Sequence, residues 1–425
     1  MVPTQVETVF QQAETAVKAN QFWQAAELYT EVLSQTAPQT TDPEIKEIRL
    51  ATLRERGRLL GLMGEQVVAL YAYEQYLREA GNGVHAVNAQ VAIAEQCSRL
   101  GRYDRALAVA QEAFALSDSL DYKVGSAQAL ASIGSIYVMM GRTEEAATKL
   151  SQATTLYEQV GDVSGQVRSL TEKGVAYGSS GQYDKALHVF TISLKLARQM
   201  NRQDRYIITM NNLGECYRHL YAFEQALAYH EEALALAQKS RLRYVEADIL
   251  RNLGLSMREL GRMDEALAYL RQALAICEES ENLDMELHTL YGLSITEAQH
   301  GELETAVLHS QRLYDQAEAD NLLGHRARAL YAQGIVAQAH GYPHSAEELW
   351  HRALFLAHET DRRALLWQIH ASLADIAENE GLALVHYRIA GEVLRQMADP
   401  IEDDALRETF LNAPPIKYIL EKVKE

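Results

Sequence analysis

The sequence is poor in proline, in cysteine and in positive charge. Of its 425 residues, seven are proline and three are cysteine, and 58 acidic residues against 40 basic ones give a formal charge of −18. With so few prolines, long stretches of the chain are free to form helices. An odd number of cysteines without a CxxC pair indicates reduced thiols. The negative charge argues against nucleic acid or an anionic membrane surface as a partner.

Several common signatures are also missing. No apolar run of about 18 residues is present that would cross a membrane, and the polar start MVPTQVETVFQQAETA lacks a secretory pattern. The motifs GxxxxGK[ST], HExxH and GxSxG do not occur. His340 and His344 flank a turn, as do His300 and His309, which argues against a shared metal geometry. We therefore expect a cytoplasmic protein that is not an enzyme and has no catalytic residue, cofactor or metal site.

What the sequence does contain is a 40-residue repeat. One column, which we assign to the turn between two helices, holds Gly101, Gly141, Gly181, Tyr221, Gly261, Gly301, Gly341 and Gly381, and it is preceded at other spacings by Asn20 and Gly64. Small residues recur seven positions before each turn, and alanine recurs five positions after it. Small side chains allow two helices to cross closely. A glycine after a helix can adopt the left-handed conformation that ends it.

Two places depart from this pattern. Tyr221 occupies the turn column, and because tyrosine is disfavoured at positive φ, we predict that it avoids the left-handed conformation and packs its ring against Phe223 or Tyr217. In the last repeat His386 replaces the alanine. The segment that follows, 398–425, contains two short amphipathic stretches punctuated by proline. We interpret it as a cap that covers the apolar end of the array.

These columns resemble the tetratricopeptide repeat (TPR) family. The family's ordinary period is about 34 residues, and the period of 40 is similar to that of Leu-Gly-Asn-repeat adaptors and kinesin light chains. MalT-like and Rap-type bacterial regulators have similar arrays. The resemblance implies an all-α fold, a right-handed TPR superhelix (α-solenoid) of about ten helical hairpins with a C-terminal capping segment. The expected organisation is an N-terminal hairpin over 1–36, a continuous array over 37–397 and capping helices over 398–425.

In TPR arrays the first helix of each hairpin lines a concave groove. In this register the inner positions lie 13, 10, 9, 6 and 3 residues before the turn and form one stripe of a helix. The candidate groove residues chosen from this stripe are Arg168, Glu172, Asn211, Asn212, Glu215, Arg218, Asp248, Arg251, Asn252, Arg258, Tyr291 and Tyr331.

Each side-chain type in the stripe suggests a role in binding. The amides of Asn212 and Asn252 have donors and acceptors that could hold an extended peptide backbone. Arg218, Arg251 and Arg258 form an expected local basic patch for an acidic side chain or a C-terminal carboxylate, and Tyr291 and Tyr331 could pack an apolar anchor. In the alternative interpretation Arg218 and Arg258 pair with Glu215 and Glu259 in a solvated network.

The repeat pattern and its inner stripe favour two functions. The first is a non-enzymatic interaction scaffold that binds a peptide or protein segment in its concave groove. The alternative is a ligand- or peptide-responsive sensor or regulator that acts on a separate effector protein. In both cases the partner is a protein or peptide, and neither nucleic acid nor a membrane is expected.

Overall fold

The computed structural model describes residues 3–19, 21–63, 65–200, 203–240, 242–280, 283–319, 321–360 and 363–423. Within these ranges every regular element is a helix, which confirms the all-α prediction. None of the described helices is both long and apolar enough to cross a lipid bilayer. The predicted turn residues Asn20 and Gly64 lie outside the described residues.

The chain forms two compact units, Met1–Glu172 and Lys173–Glu425. The boundaries predicted at residues 36 and 397 lie inside these units and remain predictions. The first unit contains α1 (Pro3–Lys18), α2 (Phe22–Gln35), α3 (Pro43–Leu62), α4 (Gln66–Ala80), α5 (Val84–Arg99), α6 (Tyr103–Ser119), α7 (Lys123–Met139) and α8 (Thr143–Gln159). The boundary between the units falls within α9 (Val163–Ser179).

The second unit contains the remaining helices. They are α10 (Tyr183–Gln199), α11 (Gln203–His219), α12 (Phe223–Ser240), α13 (Arg243–Glu259), α14 (Met263–Ser280), α15 (Leu283–His300), α16 (Leu303–Ala319), α17 (Leu323–Ala339), α18 (Pro343–Glu359), α19 (Arg363–Asp375), α20 (Glu380–Ala398), α21 (Asp404–Asn412) and α22 (Pro414–Lys422).

Consecutive helices pack as hairpins, and the hairpins stack. In the second unit α11 packs on α12, α13 on α14, α15 on α16 and α17 on α18. The first helices of successive hairpins also touch, α11 with α13, α13 with α15 and α15 with α17. The odd-numbered helices therefore form one layer of the stack and the even-numbered helices form the other. This is the layered arrangement of an α-solenoid.

The small residues of the repeat mark the places where the two helices of a hairpin cross. A methyl group added at Gly174 would lie 2.5 Å from the Phe190 ring, and one added at Gly214 would lie 2.6 Å from the His230 ring. Gly254 faces Leu270 in the same way, at 2.7 Å. In each pair the bulky residue comes 16 positions after the glycine. The helices can approach closely because one partner has no side chain.

The turn glycines adopt positive φ, as the pattern predicts. The φ angles are 69° at Gly101, 73° at Gly141, 75° at Gly261 and 81° at Gly341. Gly381 is an exception, because it lies in the first turn of α20, which begins after the N-cap residue Asn379. The turn position predicted for the last repeat is therefore wrong.

The prediction for the backbone of Tyr221 is also wrong, although the prediction for its ring is confirmed. Tyr221 has a φ of 59°, and its ring packs edge-on against Phe223 with centroids 5.7 Å apart. The reason is the hydrogen bonding of the turn. The N–H of Tyr221 donates to the Arg218 carbonyl at 3.0 Å, and the N–H of Ala222 donates to the Tyr217 carbonyl at 2.9 Å. The same two bonds form at the Gly261 turn, so the repeat imposes the conformation on any residue placed there.

The C-terminal helices pack on the last hairpin. Tyr387 on α20 contacts Tyr418 on α22 through their hydroxyls, 3.1 Å apart, and Ile416 and Ile419 are buried. This segment also reaches the start of the second unit, because the rings of Phe410 and Tyr221 lie 6.3 Å apart between centroids. Phe410, at 2% exposure, is almost fully enclosed by these contacts.

Candidate ligand-binding groove

The predicted groove residues divide between the two units. Arg168 and Glu172 lie on α9 in the first unit. Arg168 donates to the Tyr157 hydroxyl at 2.9 Å, and Glu172 accepts a hydrogen bond from Ser135. Desolvation acts to lower the pKa of the Arg168 guanidinium, but the charges of Tyr157 and Glu172 outweigh it and raise the pKa. The other predicted residues lie on α11, α13, α15 and α17 of the second unit.

Four of them form a closed network, which we call the polar ring: Asn211, Asp248, Arg251 and Asn252. The Asn211 amide donates to Asp248 at 2.6 Å, and Arg251 Nη2 lies 2.7 Å from the other oxygen of that carboxylate. Arg251 also donates to Asn252 Oδ1 at 3.1 Å, and the Asn252 amide donates back to Asn211 Oδ1 at 3.1 Å. The ring therefore connects α11 to α13 through side chains alone.

The polar ring is largely hidden from solvent. Asn211 is 1% exposed, Asn252 0% and Arg251 7%. Desolvation raises the pKa of Asp248. For Arg251, desolvation acts to lower the pKa but the charges of Asp248 and Glu215 outweigh it and raise the pKa. Because Asn252 has no accessible surface in this conformation, its amide could bind a peptide backbone only after the ring opened.

Next to the ring, two arginines share one carboxylate. Glu215 Oε1 lies 3.8 Å from Arg218 Nη2 and 3.9 Å from Arg251 Nη2. Both distances exceed those of a good hydrogen bond. Desolvation acts to raise the pKa of Glu215, but the neighbouring His219, Arg251 and Arg218 outweigh it and lower the pKa. Glu215 is thus an ionised group whose charge is divided between two cations.

Of the three arginines Arg218, Arg251 and Arg258, Arg218 has the longest contact with its carboxylate partner, 3.8 Å to Glu215. Its side chain is 10% exposed, and desolvation lowers the pKa of its guanidinium. It donates to His219 Nε2 at 2.9 Å, and the His219 ring stacks on Tyr183 with centroids 5.1 Å apart. Desolvation and the charge of Arg218 lower the pKa of His219. A neutral imidazole accepts this hydrogen bond without neutralising the arginine.

The expected basic patch is not present. Arg218, Arg251 and Arg258 are matched by three carboxylates, Glu215, Asp248 and Glu259, and Arg258 Nη2 lies 2.6 Å from Glu259. The alternative interpretation predicted two of these pairs. The network is not a solvated one, however, because the side chains of Arg251 and Arg258 are only 8% and 14% exposed. Three guanidinium donors, Arg218 Nε, Arg251 Nε and Arg258 Nη1, are buried and have no hydrogen-bond partner among the described residues.

The two predicted tyrosines lie within electrostatic range of Arg258. The charge of Arg258 interacts with both Tyr291 and Tyr331. Tyr331 is 8% exposed, and its hydroxyl lies 3.4 Å from Ser372 Oγ. Tyr291 is partly buried, and the Arg328 guanidinium lies 5.8 Å from its ring centroid. The groove therefore continues from the polar ring on α13 to an aromatic wall on α15 and α17.

Two residues of this region, His219 and Phe410, were not predicted from the sequence. His219 lies two residues before the turn and so falls outside the inner stripe, although it accepts a hydrogen bond from a stripe residue. Phe410 belongs to the capping segment, and its contact with Tyr221 joins residues 189 positions apart in the sequence. The replacement of glycine by an aromatic residue at position 221 was the only signal for this contact.

Stacked helical hairpins with small residues at their crossings define an α-solenoid repeat protein. This chain belongs to the tetratricopeptide repeat family: residues 85–159, 166–239 and 245–319 match the family model described as tetratricopeptide repeat and together cover more than half of the sequence. A search of curated proteins gives no significant match.

Solved structures of Rap-type and related proteins have a similar fold. A Rap protein complexed with Competence and Sporulation Factor is 15% identical over 94% of this chain and 100% of that chain, with a TM-score of 0.52. Aspartyl phosphate phosphatase F from Bacillus subtilis is 13% identical over 85% and 96%, with a TM-score of 0.55. The apo form of the quorum sensor NprR from B. thuringiensis is 13% identical over 84% and 99%, with a TM-score of 0.56.

At these identities the likeness establishes the fold alone. It confirms the predicted resemblance to Rap-type arrays. Because one of these proteins is named a phosphatase, the prediction that this chain is not an enzyme stays a prediction.

Proposed function

We propose that the inner face of the second unit is the binding groove for a short peptide with a free carboxylate. The observation that carries the proposal is the pair of arginines that share Glu215 at 3.8 and 3.9 Å. A ligand carboxylate placed between Arg218 and Arg258 would bring an oxygen within hydrogen-bonding distance of Arg218, whose ion pair with Glu215 spans 3.8 Å. It would also accept from guanidinium donors that have no partner among the described residues.

The neighbouring groups give the rest of the ligand a place. Tyr291 and Tyr331 lie within electrostatic range of Arg258 and provide an aromatic wall on the next inner helices. Asn212 is partly buried on α11 and is a better candidate for contact with a peptide backbone than the enclosed Asn252. The polar ring then holds α11 and α13 at a fixed spacing beneath the ligand. The solved Rap complex and the quorum sensor NprR support this proposal as proteins of the same fold that bind or sense a factor.

Affinity selection followed by mass spectrometry would test the carboxylate requirement. The wild-type chain is incubated with a pool of random hexapeptides, once with free C-termini and once with amidated C-termini and no acidic residues. We expect retention from the first pool only. Retention of both pools to the same extent, or of neither, would contradict the proposal.

Arginine variants would locate the site. Arg218→Gln combined with Arg258→Gln should abolish retention, because the charge-assisted hydrogen bonds to the peptide carboxylate are lost. The matched control is Arg262→Gln, which removes an exposed arginine that pairs with Glu265 on the same repeat. This control should retain the same peptides as the wild-type chain. If the double variant also retains those peptides, the groove is not the binding site.

One contact favours the sensor function over a passive scaffold. Tyr221 follows Arg218 by three residues and contacts Phe410 of the C-terminal segment. Also at this surface, the backbone of Glu402 lies close enough to Asp184 to influence the pKa of its carboxyl. A ligand that moves Arg218 would therefore also move Tyr221 and change its contact with Phe410 on α21. Hydrogen exchange of α21 with and without a retained peptide separates the two functions: changed protection supports a sensor, and unchanged protection supports a scaffold.

A further inference from the structure

Two adjacent inner helices bring two histidines and a carboxylate together. Asp284 and His288 lie four residues apart on α15, so their side chains project from the same side of the helix. His325 lies in the first turn of α17, the next inner helix. One donor atom from each of the three residues lies within 4.8 Å of the other two. Among the described residues, this is the only group of three such side chains with that spacing.

We propose that Asp284, His288 and His325 form a binding site for one divalent transition-metal ion of the Zn²⁺, Co²⁺ or Ni²⁺ type. Two imidazoles and one carboxylate are the donor set these ions favour. Donors bound to one tetrahedral ion at about 2.1 Å lie about 3.4 Å apart. His325 Nε2 and Asp284 Oδ1 already lie 3.2 Å apart. The third donor, on His288, lies within 4.8 Å of the other two and has to move by no more than about 1.4 Å.

The burial of the three residues suits an ion that enters from solution. The His325 side chain is 9% exposed, whereas the Asp284 side chain is 76% exposed. The rings of His288 and His325 meet edge-on with centroids 4.8 Å apart. A bound ion would be enclosed on the histidine side and open on the aspartate side, where water could complete its coordination. It would connect α15 to α17.

The nearest opposing group is Arg328. Its Nη1 lies 2.8 Å from His288 Nδ1, so its positive charge competes with an ion at this site. The same guanidinium also lies 5.8 Å from the centroid of the Tyr291 ring. In this one conformation the guanidinium contacts both His288 and the Tyr291 ring, so a bound ion would have to displace it from His288. Removal of this charge should strengthen metal binding, an effect that an unrelated surface site would not show.

An ordinary ion pair between Asp284 and His325 would have the same 3.2 Å distance. The test must therefore separate a metal site from an ion pair. The tag-free full chain is kept reduced and titrated with Co²⁺, followed by visible absorption, and with Zn²⁺ by calorimetry. We expect one ion per chain. Asp284→Asn and His325→Ala should each weaken binding at least tenfold. Circular dichroism checks that both variants keep their helix content, and Asp284→Asn changes an exposed residue that tolerates substitution.

Two further variants complete the test. His300→Ala is the matched control, because His300 Nε2 also lies 3.2 Å from an aspartate, Asp264, but without a second histidine. It should leave the affinity unchanged. Arg328→Gln should raise the affinity several-fold. The proposed metal site would be overturned if the wild-type chain did not bind the ion. It would also be overturned if His300→Ala lost as much metal affinity as His325→Ala, or if Arg328→Gln left the metal affinity unchanged.

Discussion

The polar ring on α11 and α13 and the histidine cluster on α15 and α17, which consists of Asp284, His288 and His325, both join the inner helices of successive repeats but differ in closure. In the ring every member bonds to another, and Asn211, Arg251 and Asn252 are buried. In the cluster Asp284 is mostly exposed, and His288 lies 2.8 Å from the guanidinium of Arg328. The residue ten positions before the turn is Asn211 and then Arg251 on the ring side, and Tyr291 and then Tyr331 on the other.

This difference shows what an inner position does and does not determine. The repeat decides that a side chain points into the groove. Whether that side chain is available to a ligand depends on the residue that the next repeat presents to it. The side-chain amide of Asn211 donates its hydrogen bond to Asp248 on the next inner helix and is therefore not available to a ligand. His288 instead contacts Arg328, a cation, which would not form an ion pair with a protonated histidine. We therefore expect the ring to act as structure and the cluster to act as a site.

Removal of the aspartate should distinguish the two regions most strongly. Asp248→Ala leaves Arg251 buried without its 2.7 Å partner and should cost about 3 kcal/mol of unfolding free energy. Asp284→Ala removes an exposed carboxylate and should cost no more than about 0.5 kcal/mol. Urea unfolding gives both values, and hydrogen exchange of α13 shows where the loss occurs. Equal costs would mean that the ring is no more structural than the cluster.

The helix behind the ring provides a second test, through pH. His230 faces Gly214 on α11 and is fully buried. Desolvation lowers the pKa of His230 to about 3, and the charges of Arg218 and Arg251 act in the same direction. The charge of Glu215 acts to raise the pKa but does not outweigh them. In the unfolded chain the pKa is about 6.5. The stability that the neutral ring provides is therefore present above pH 6.5 and is lost as the pH falls towards 3.

The variant His230→Leu should remove this pH dependence. Leucine already faces the glycine at the equivalent crossings, as Leu150 and Leu270, so the substitution should fit. Between pH 7 and pH 5 the wild type should lose about 2 kcal/mol more than the variant. His370, whose pKa burial and His386 lower to about 4, is present in both proteins and cancels in the comparison. Parallel pH profiles would show that His230 does not remain neutral.

Much of the fold could be predicted from residue size alone. The glycines at positions 174, 214 and 254 indicated where helices cross, and the structure places a bulky residue against each. Another 40-residue column was available and was missed: Asp121, Gly161 and Asn321 lie in the loops between hairpins and have φ angles of 51°, 72° and 52°. Asp, Gly and Asn are the residues that tolerate this conformation, so the signal was present in the sequence.

The pairing of the groove residues could not be predicted in the same way. The inner stripe brought Asn211, Asp248 and Asn252 to one face, but periodicity gives a direction and not a partner. Which amide bonds to which carboxylate depends on side-chain rotamers and on the spacing of α11 and α13. The contact of Phe410 with Tyr221 joins two distant parts of the second unit, and a sequence pattern with a period of 40 residues does not predict such a long-range contact.

The smallest effect is expected at the turn beside the ring, where Tyr221 replaces the glycine found at the equivalent turns beside the cluster. Tyr221→Gly removes a left-handed strain of about 1 kcal/mol. It also removes ring contacts with Phe223 and Phe410 that contribute about 1 kcal/mol. The stability of the chain should therefore change by less than about 1 kcal/mol, while α21 loses the surface on which Phe410 rests. Hydrogen exchange should accelerate in α21 and remain unchanged in α22, which packs on α20.

Phe410→Ala serves as the reference, since it removes the same contact from the other side. If Phe410→Ala accelerates exchange in α21 but Tyr221→Gly does not, Tyr221 is not what holds the C-terminal segment against the hairpin of Arg218.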